Sequence, residues 1–307
     1  MQTSSIQSLQ PFVEFEWEPI KGLMVTPGIK DVRITRSTDA SVNPTTRVPL
    51  KTSVDYHSTL PFLTVNQQIN PEMSAYMQVA KGYQIPDLNT FYITDPTKNS
   101  TEPQLSTNYQ IGLVGVSKTL TWDLDVYRID FKNKYVSNGL TGANQAYINI
   151  GGARYQGIEG QASALVGGGW SIYGNFSTNT ATALDTGKQI SGAPLMTAGL
   201  GLLFNEGPWS ATLIHKRTGA TYMTDYTAAS AASYDKYRVD AYDNTDLGVS
   251  YTFKNPAQGI KATRVQLNVF NVANRQAVTS IKTASTAAFD QYSFQPPRSF
   301  QLSAKLS

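Results

Sequence analysis

The residues of this chain that could do chemistry sit at alternating positions. Glu14, Glu16 and Glu18, then Asp123 and Asp125, and singly Glu159 and Asp246, are spaced so that each group falls on one face of an extended strand. Paired carboxylates can act as general acid and base. Here, however, every carboxylate is flanked by apolar residues on the opposite phase, and that pattern favours a hydrated wall lined with charge over a catalytic dyad. His57 and His215 are the only histidines, and no ligand set with metal-binding spacing surrounds either. Ser, His and Asp all occur, but no Gly-x-Ser-x-Gly elbow does, and cysteine is absent, which removes thiolate chemistry and disulfides. The residues therefore predict no enzyme, no metal and no cofactor.

The elements that must position these groups are strands. In Asn244–Phe253, Thr245, Leu247, Val249, Tyr251 and Phe253 share one face, and Asn244, Asp246, Gly248, Ser250 and Thr252 share the other. This rhythm predicts a strand near Val13–Trp17 and its return from Leu23 to Arg36, then the hairpins 60–69/73–83, 108–116/120–131, 147–166/170–179, 195–204/209–217 and 243–254/262–272, and a last strand over 298–307. Each short turn is followed by a long polar stretch, near 37–58, 84–101, 133–146, 180–193, 218–241 and 273–295. Strands of about ten residues with loops alternately short and long are the pattern of an outer-membrane β-barrel, with short turns in the periplasm and long loops outside. The fold class expected is all-β, an antiparallel transmembrane β-barrel, with residues 1–307 as one partial barrel domain.

Composition agrees. Charged residues make up 15% of the 307, against roughly 25% in soluble domains. Aromatics reach 11%, with 17 Tyr. No stretch approaches the ~18 apolar residues of a membrane helix, so any crossing must be made by strands. The net charge of +3 is scattered and argues against nucleic acid. Trp17, Trp122, Trp170 and Trp209 lie at or beside short turns; ligand stacking is one reading, a periplasmic-side aromatic girdle the favoured one. The outer stretches carry Phe91, Tyr92, Tyr222, Tyr226, Tyr234, Tyr237, Phe289 and Tyr292, which suit aromatic or sugar-like ligands by stacking and hydrogen bonding, although solvated loop tips read equally well. Arg217, Arg238 and Arg275 could meet an anionic ligand. The ligand-binding candidates are thus Phe91, Tyr92, Tyr222, Tyr226, Tyr237, Arg238, Arg275 and Tyr292.

Several stretches go beyond rhythm. Asn149, Gly151, Arg154, Gly157 and Glu159 lie in a run resembling the "N-x-G-x-x-R-x-x-G-x-E" strand of TonB-dependent outer-membrane receptors. Ser74-Ala75-Tyr76, Ala80, Gly82-Tyr83 and Pro86 resemble another strand end of that family, and Val265 to Asn274, including Asn271, with Pro297-Arg298-Ser299-Phe300, resemble its last two strands. Pro11-Phe12-Val13-Glu14 with Pro27-Gly28, and Pro103, Asn108-Tyr109 and Gly112, add smaller matches, although Gln104 and Gln110 stand where the family often has Glu. The order and spacing of the motifs span nearly the whole chain.

The resemblance implies a barrel of about 22 strands filled by an N-terminal plug. The plug would carry the short box gripped by the energy-coupling protein TonB. Neither plug nor TonB box is visible here, and the chain reads as the C-terminal 13 or so strands. The N-terminus shows no signal peptide, consistent with a fragment. The family usually ends on an outward aromatic; the next outward position lies one beyond Ser307, which predicts a trimmed C-terminus. The pattern looks most like the ferric-siderophore branch. The partners implied are outer-membrane lipid, a ferric siderophore or similar small ligand, the TonB complex through the missing plug region, and the barrel-insertion machinery. Two alternatives stand beside it: a passive plugless porin, and a soluble β-sandwich adhesin or lectin, in which a second sheet would cover the outward apolar residues.

Overall fold

The computed structural model describes residues 2–42, 47–87, 99, 102–137, 146–226, 231–232, 234–257, 259–282 and 289–307. The first wall strand is interrupted, running as β1 (Gln2–Leu9), β2 (Phe12–Glu14) and β3 (Trp17–Ile20), all paired with β4 (Leu23–Ala40). The first break falls at Gln10-Pro11, where proline has no N–H to give the ladder. Wall strands β5 (Leu50–Asn70), β6 (Met73–Gln84), β7 (Gln104–Val116) and β8 (Leu120–Lys132) follow. A small ribbon, β9 (Lys134–Ser137) with β10 (Tyr147–Ile150), precedes β11 (Ala153–Gly167) and β12 (Trp170–Thr178). The short β13 (Thr180–Ala183) folds back on β11. Next come β14 (Met196–Glu206), β15 (Trp209–Thr218), the ribbon β16 (Thr221–Tyr222) with β17 (Arg238–Val239), β18 (Tyr242–Ala257) and β19 (Ile260–Phe270). The ribbon β20 (Val278–Lys282) with β21 (Gln291–Phe294) precedes the final β22 (Ser299–Leu306).

The wall is one antiparallel sheet in the order β1-β4-β5-β6-β7-β8-β11-β12-β14-β15-β18-β19-β22, every neighbour joined by its own hairpin or loop. The thirteen wall positions are those expected from the alternation. The sheet is open: β1 and β22 are its two edges and do not pair with each other. Tight turns gather at one end. Gly22 (φ +83°) supplies the left-handed position between β3 and β4, and Gly168 and Gly169 (φ +56° and +77°) supply both central positions between β11 and β12.

Register separates the two faces. On the outward face, Met77, Ile111, Val126 and Ile158 stand in one row, and Leu202, Leu213, Leu247, Val269 and Phe300 in another. These side chains are open to the surroundings (Phe300 is 68% exposed and Leu302 74%), and among the described residues no second sheet covers them. A β-sandwich is thereby excluded. Trp17, Trp122, Trp170 and Trp209 all lie on this face next to the tight turns, with Trp170 against Phe204 and Trp209 against Tyr251, each pair 4.8 Å between ring centroids.

Four sequence expectations are corrected. The first strand starts at Gln2 rather than Val13. The stretch 37–58 is mostly not loop: β4 and β5 pair from Leu23↔Gln67 to Ala40↔Leu50. β5 has 21 residues, twice what a bilayer needs, so its far half leaves the membrane; both faces are then wet and the apolar alternation vanishes while pairing continues. The strand expected over 147–166 breaks at Gly151-Gly152, where the backbone passes so close to the Phe131 carbonyl that a Cβ on Gly152 would lie 2.6 Å from it, and its first part pairs with β9 instead. Finally, 180–193, 218–241 and 273–295 are not simple loops but contain short ribbons.

The two faces give a one-residue test. Leu213 faces out, two rows in from Trp209, and Thr212 faces in. Leu213→Arg should cost about 2–4 kcal/mol in a bilayer and Thr212→Arg much less, read by urea unfolding of vesicle-inserted protein. Equal losses would mean that the outward face does not meet lipid.

Candidate functional site

The inner face carries the polar register. Tyr76, Gly112, Asp125, Glu159, Ser177 and Thr197 stand in one row across β6 to β14. The Tyr76 hydroxyl donates to Asp125 Oδ2 at 3.3 Å, and Ser177 Oγ donates to Glu159 Oε1 at 2.9 Å. Asp125 is buried, and its Oδ1 has no hydrogen-bond partner. Above this row a concavity of about 440 Å³ is lined by Asn108, Gln110, Tyr127, Tyr155, Glu159 and Asn179 among others. Tyr127 was not singled out from the sequence, and Gln110 and Tyr155 were noted only within family motifs; their inward phase, read against Tyr76 and Glu159, is the signal that marks all three as lining.

Over the outer end of the wall the ribbons knit together. Tyr222 stacks on Tyr234 with centroids 4.3 Å apart and planes at 9°, Tyr226 meets the Tyr234 ring edge-on at 5.4 Å, and Lys188 Nζ lies 5.3 Å from the Tyr226 ring centre. The Tyr234 hydroxyl donates to the Gln189 carbonyl at 2.8 Å. Burial, with Tyr222 and Asp235 beside it, pushes the pKa of Tyr234 up to about 12, so it remains a neutral donor. Asp225 ties three segments: it accepts from Ser191 N at 2.8 Å and pairs with Lys134 Nζ at 3.0 Å. Burial raises its carboxyl, but the Ser191 amide and the Lys134 ammonium pull it further down, leaving it below the ordinary carboxylate range.

The candidate ligand residues separate into groups. Tyr222 and Tyr226 are together in this half-buried aromatic cluster. Tyr237 is 7% exposed, packs with Val239 and Ile281, and donates its hydroxyl to Asp290 at 2.9 Å, so it joins one loop to the next. Arg238 pairs with Asp240 at 3.0 Å. Arg275 pairs at 3.1 Å with Asp243, which also holds Arg217 and faces outward from the wall, away from the aromatic cluster. Tyr292 and Phe289 are exposed on the β20–β21 side. Phe91 and Tyr92 lie outside the described residues. His57 and His215 also face outward, bonded to Asp31 at 2.7 Å and Thr245 at 2.8 Å.

The motif residues do structural work. Asn149 donates to the Glu102 and Asn133 carbonyls at 3.0 and 2.7 Å, fastening β10 to the start of β7. Arg154 Nε donates to Asp130 at 2.8 Å on the outward face. At Gly157 any Cβ would collide with the Thr178 carbonyl, so only glycine fits; at Gly82 a Cβ would meet the Ser106 hydroxyl, which would have to turn away. Pro86 is fully buried and its carbonyl accepts from Arg36. Asn271 is buried with φ +50°; it donates to the Arg275 and Pro296 carbonyls, both at 2.8 Å, and accepts from Arg275 N at 3.0 Å. It thereby binds the end of β19 to the segment Pro296-Pro297-Arg298 that enters β22, with Arg298 N also donating to Asn274 at 2.9 Å. Phe300 follows on the outward face.

Two outcomes are expected. Asn271→Ala orphans three backbone groups and should lower stability by about 1–3 kcal/mol, seen as an earlier urea midpoint; an unchanged midpoint would remove the clasp from this account. Because the folded Asp225 carboxyl is depressed, its stabilisation is full above the unfolded value near about 4 and is lost as pH falls through the folded value. Hydrogen exchange in 189–192 should therefore be constant from about pH 7 to 5 and accelerate below about 4, and in Asp225→Asn it should be fast throughout.

Comparison with known proteins follows from this geometry. Residues 2–272 match the family described as TonB dependent receptor-like, beta-barrel. No curated protein matches the chain in sequence. Among solved structures, the ferric-catecholate import receptor Fiu from E. coli aligns over 99% of this chain and 45% of its own, at 16% identity and a TM-score of 0.76. The ferric yersiniabactin uptake receptor FyuA from Yersinia pestis aligns over 99% and 46%, at 14% identity and 0.76. The copper transporter OprC aligns over 98% and 48%, at 14% identity and 0.76. The chain thus spans about half the length of the structures it resembles. The thirteen-strand antiparallel wall, its outward apolar face and the match over residues 2–272 establish that the chain belongs to the TonB-dependent receptor β-barrel family of the bacterial outer membrane.

Proposed function

We propose that this chain forms wall and outer loops of a receptor that takes up a ferric siderophore, with transport driven through TonB. The observation that carries the reading is the aromatic cluster at the outer end, in which Tyr222, Tyr226 and Tyr234 pack ring against ring, with Tyr234 bonded to Gln189 and Asp225 beside them bonded to Ser191, over a polar inner face. Such a surface offers ring faces, a Lys188 ammonium and amide groups, which suit the aromatic rings and carbonyls of a catecholate ligand. Likeness to the ferric receptors supports this direction, and because a copper transporter has a similar wall, the reading rests on the outer segments and not on the wall. No bond-making chemistry is proposed. TonB would act through a plug, since no described element on the inner face could be pulled from the wall without breaking a ladder.

The test is radioiron uptake from a ferric catecholate siderophore by iron-starved cells that have this receptor as their sole entry route, with and without TonB. Uptake should require TonB, and Tyr226→Ala should weaken ligand binding about two- to tenfold by removing one stacking partner. Uptake that persists without TonB, or passive entry of small sugars instead, would point to a diffusion pore.

A further inference from the structure

The outward face carries charge just beyond its last apolar row. Met77, Ile111, Val126 and Ile158 form that row. Four residues further out along each strand, Lys81, Thr107, Asp130 and Arg154 stand in register, with Arg128 in the row between them and the apolar row, and Lys132 one row above on the same face. Arg128 and Arg154 both reach Asp130, at 2.8 Å, and their side chains are 46% and 36% exposed. Lys81 and Lys132 are exposed and form no ion pair with it. Four cations thus surround one carboxylate, on the side of the wall that meets lipid, and the inward-facing ligand path cannot reach them.

A cation patch in this place calls for an anionic partner. Its lower edge is continuous with the apolar belt, so the partner must have acyl chains beside Val126 and Ile158 and anionic groups beside Arg128 and Arg154. A free protein would have to displace lipid to dock here, and a neutral phospholipid head group would leave the excess positive charge unmatched. We propose that Lys81, Arg128, Lys132 and Arg154 form a binding site for the phosphate groups of an outer-leaflet glycolipid. Two guanidinium forks held apart by Asp130 present their remaining N–H donors outward, the geometry that binds phosphate through paired hydrogen bonds. Asp130 is in this view a positioning residue: it fixes both forks while leaving the patch net positive. The inference rests on the membrane location and is independent of the ligand proposed above.

The test uses the whole protein in mild detergent, titrated with lipopolysaccharide whose lipid phosphates are intact or enzymatically removed, and read by native mass spectrometry. Intact lipid should bind in a defined ratio and dephosphorylated lipid should not. Lys81→Gln with Arg128→Gln and Arg154→Gln should lose roughly tenfold in affinity for each guanidinium contact removed. Lys305→Gln, on the inner face near the tight turns, should change nothing. Asp130→Asn frees both forks but raises the positive charge, so it should weaken binding clearly less than the triple variant. Should the triple variant fail to insert, Arg128→Gln alone reads the same site. Equal binding of both lipids, full binding by the triple or single variant, or loss in Asp130→Asn as severe as in the triple would each overturn the proposal.

Discussion

Everything in this chain follows from the fact that hydrocarbon cannot hydrogen-bond a peptide group. A strand in lipid must give every N–H and C=O to a neighbour, and the unbroken series of antiparallel pairings from β1 to β22 does so for every wall strand between the two edges. Once the backbone is committed in this way, side chains have only two directions. The outward set becomes apolar because its solvent is lipid, and the inward set becomes polar because its solvent is water. The tight turns then collect at one end and the elaborate segments at the other, which is where chemistry directed at the outside must be built.

The family motifs fit the same logic. Asn149, Pro86 and Asn271 spend their polar groups on the protein's own chain, and Gly157 lies against the Thr178 carbonyl. They fasten places where the ladder cannot continue: a ribbon departing at β10, a carbonyl crowding β11, a carbonyl gripped by Arg36, a final strand that must return across 273–295. Residues of this kind are constrained by the fold, so they report architecture well and ligand identity poorly. The ligand would be chosen by side chains such as Tyr226 and Lys188, which no motif includes.

Legibility in the sequence followed solvent contrast. Where one face meets lipid and the other water, as in Asn244–Phe253, alternation gave strand and face. Where both faces are wet, as in Ser37–Ala40 and Leu50–Ser58, the contrast disappears and a paired strand reads as loop. The ribbons over 180–193 and 218–241 were hidden for the same reason. The aromatic residues of the outer segments were visible as composition, but their partition was not. That Tyr222 would stack on Tyr234, Tyr237 be buried against Val239, and Arg275 turn outward to Asp243 depends on how separate segments dock, which spacing does not encode.

The long β4–β5 hairpin has a mechanical meaning. From the last outward apolar pair, Ile29 with Pro61, to the pair Ala40 with Leu50, the two strands climb together for eleven residues with no lateral break. At the rise of an extended strand and a barrel-like tilt, this lifts the tip on the order of 25 Å clear of the hydrocarbon. A paired ribbon is stiffer than a tether, so whatever sequence occupies that tip is held up like a mast rather than trailing along the surface. To an antibody, a phage or a protease arriving from outside, it stands within reach well clear of the membrane, which makes it a natural place to display a foreign epitope without disturbing the wall.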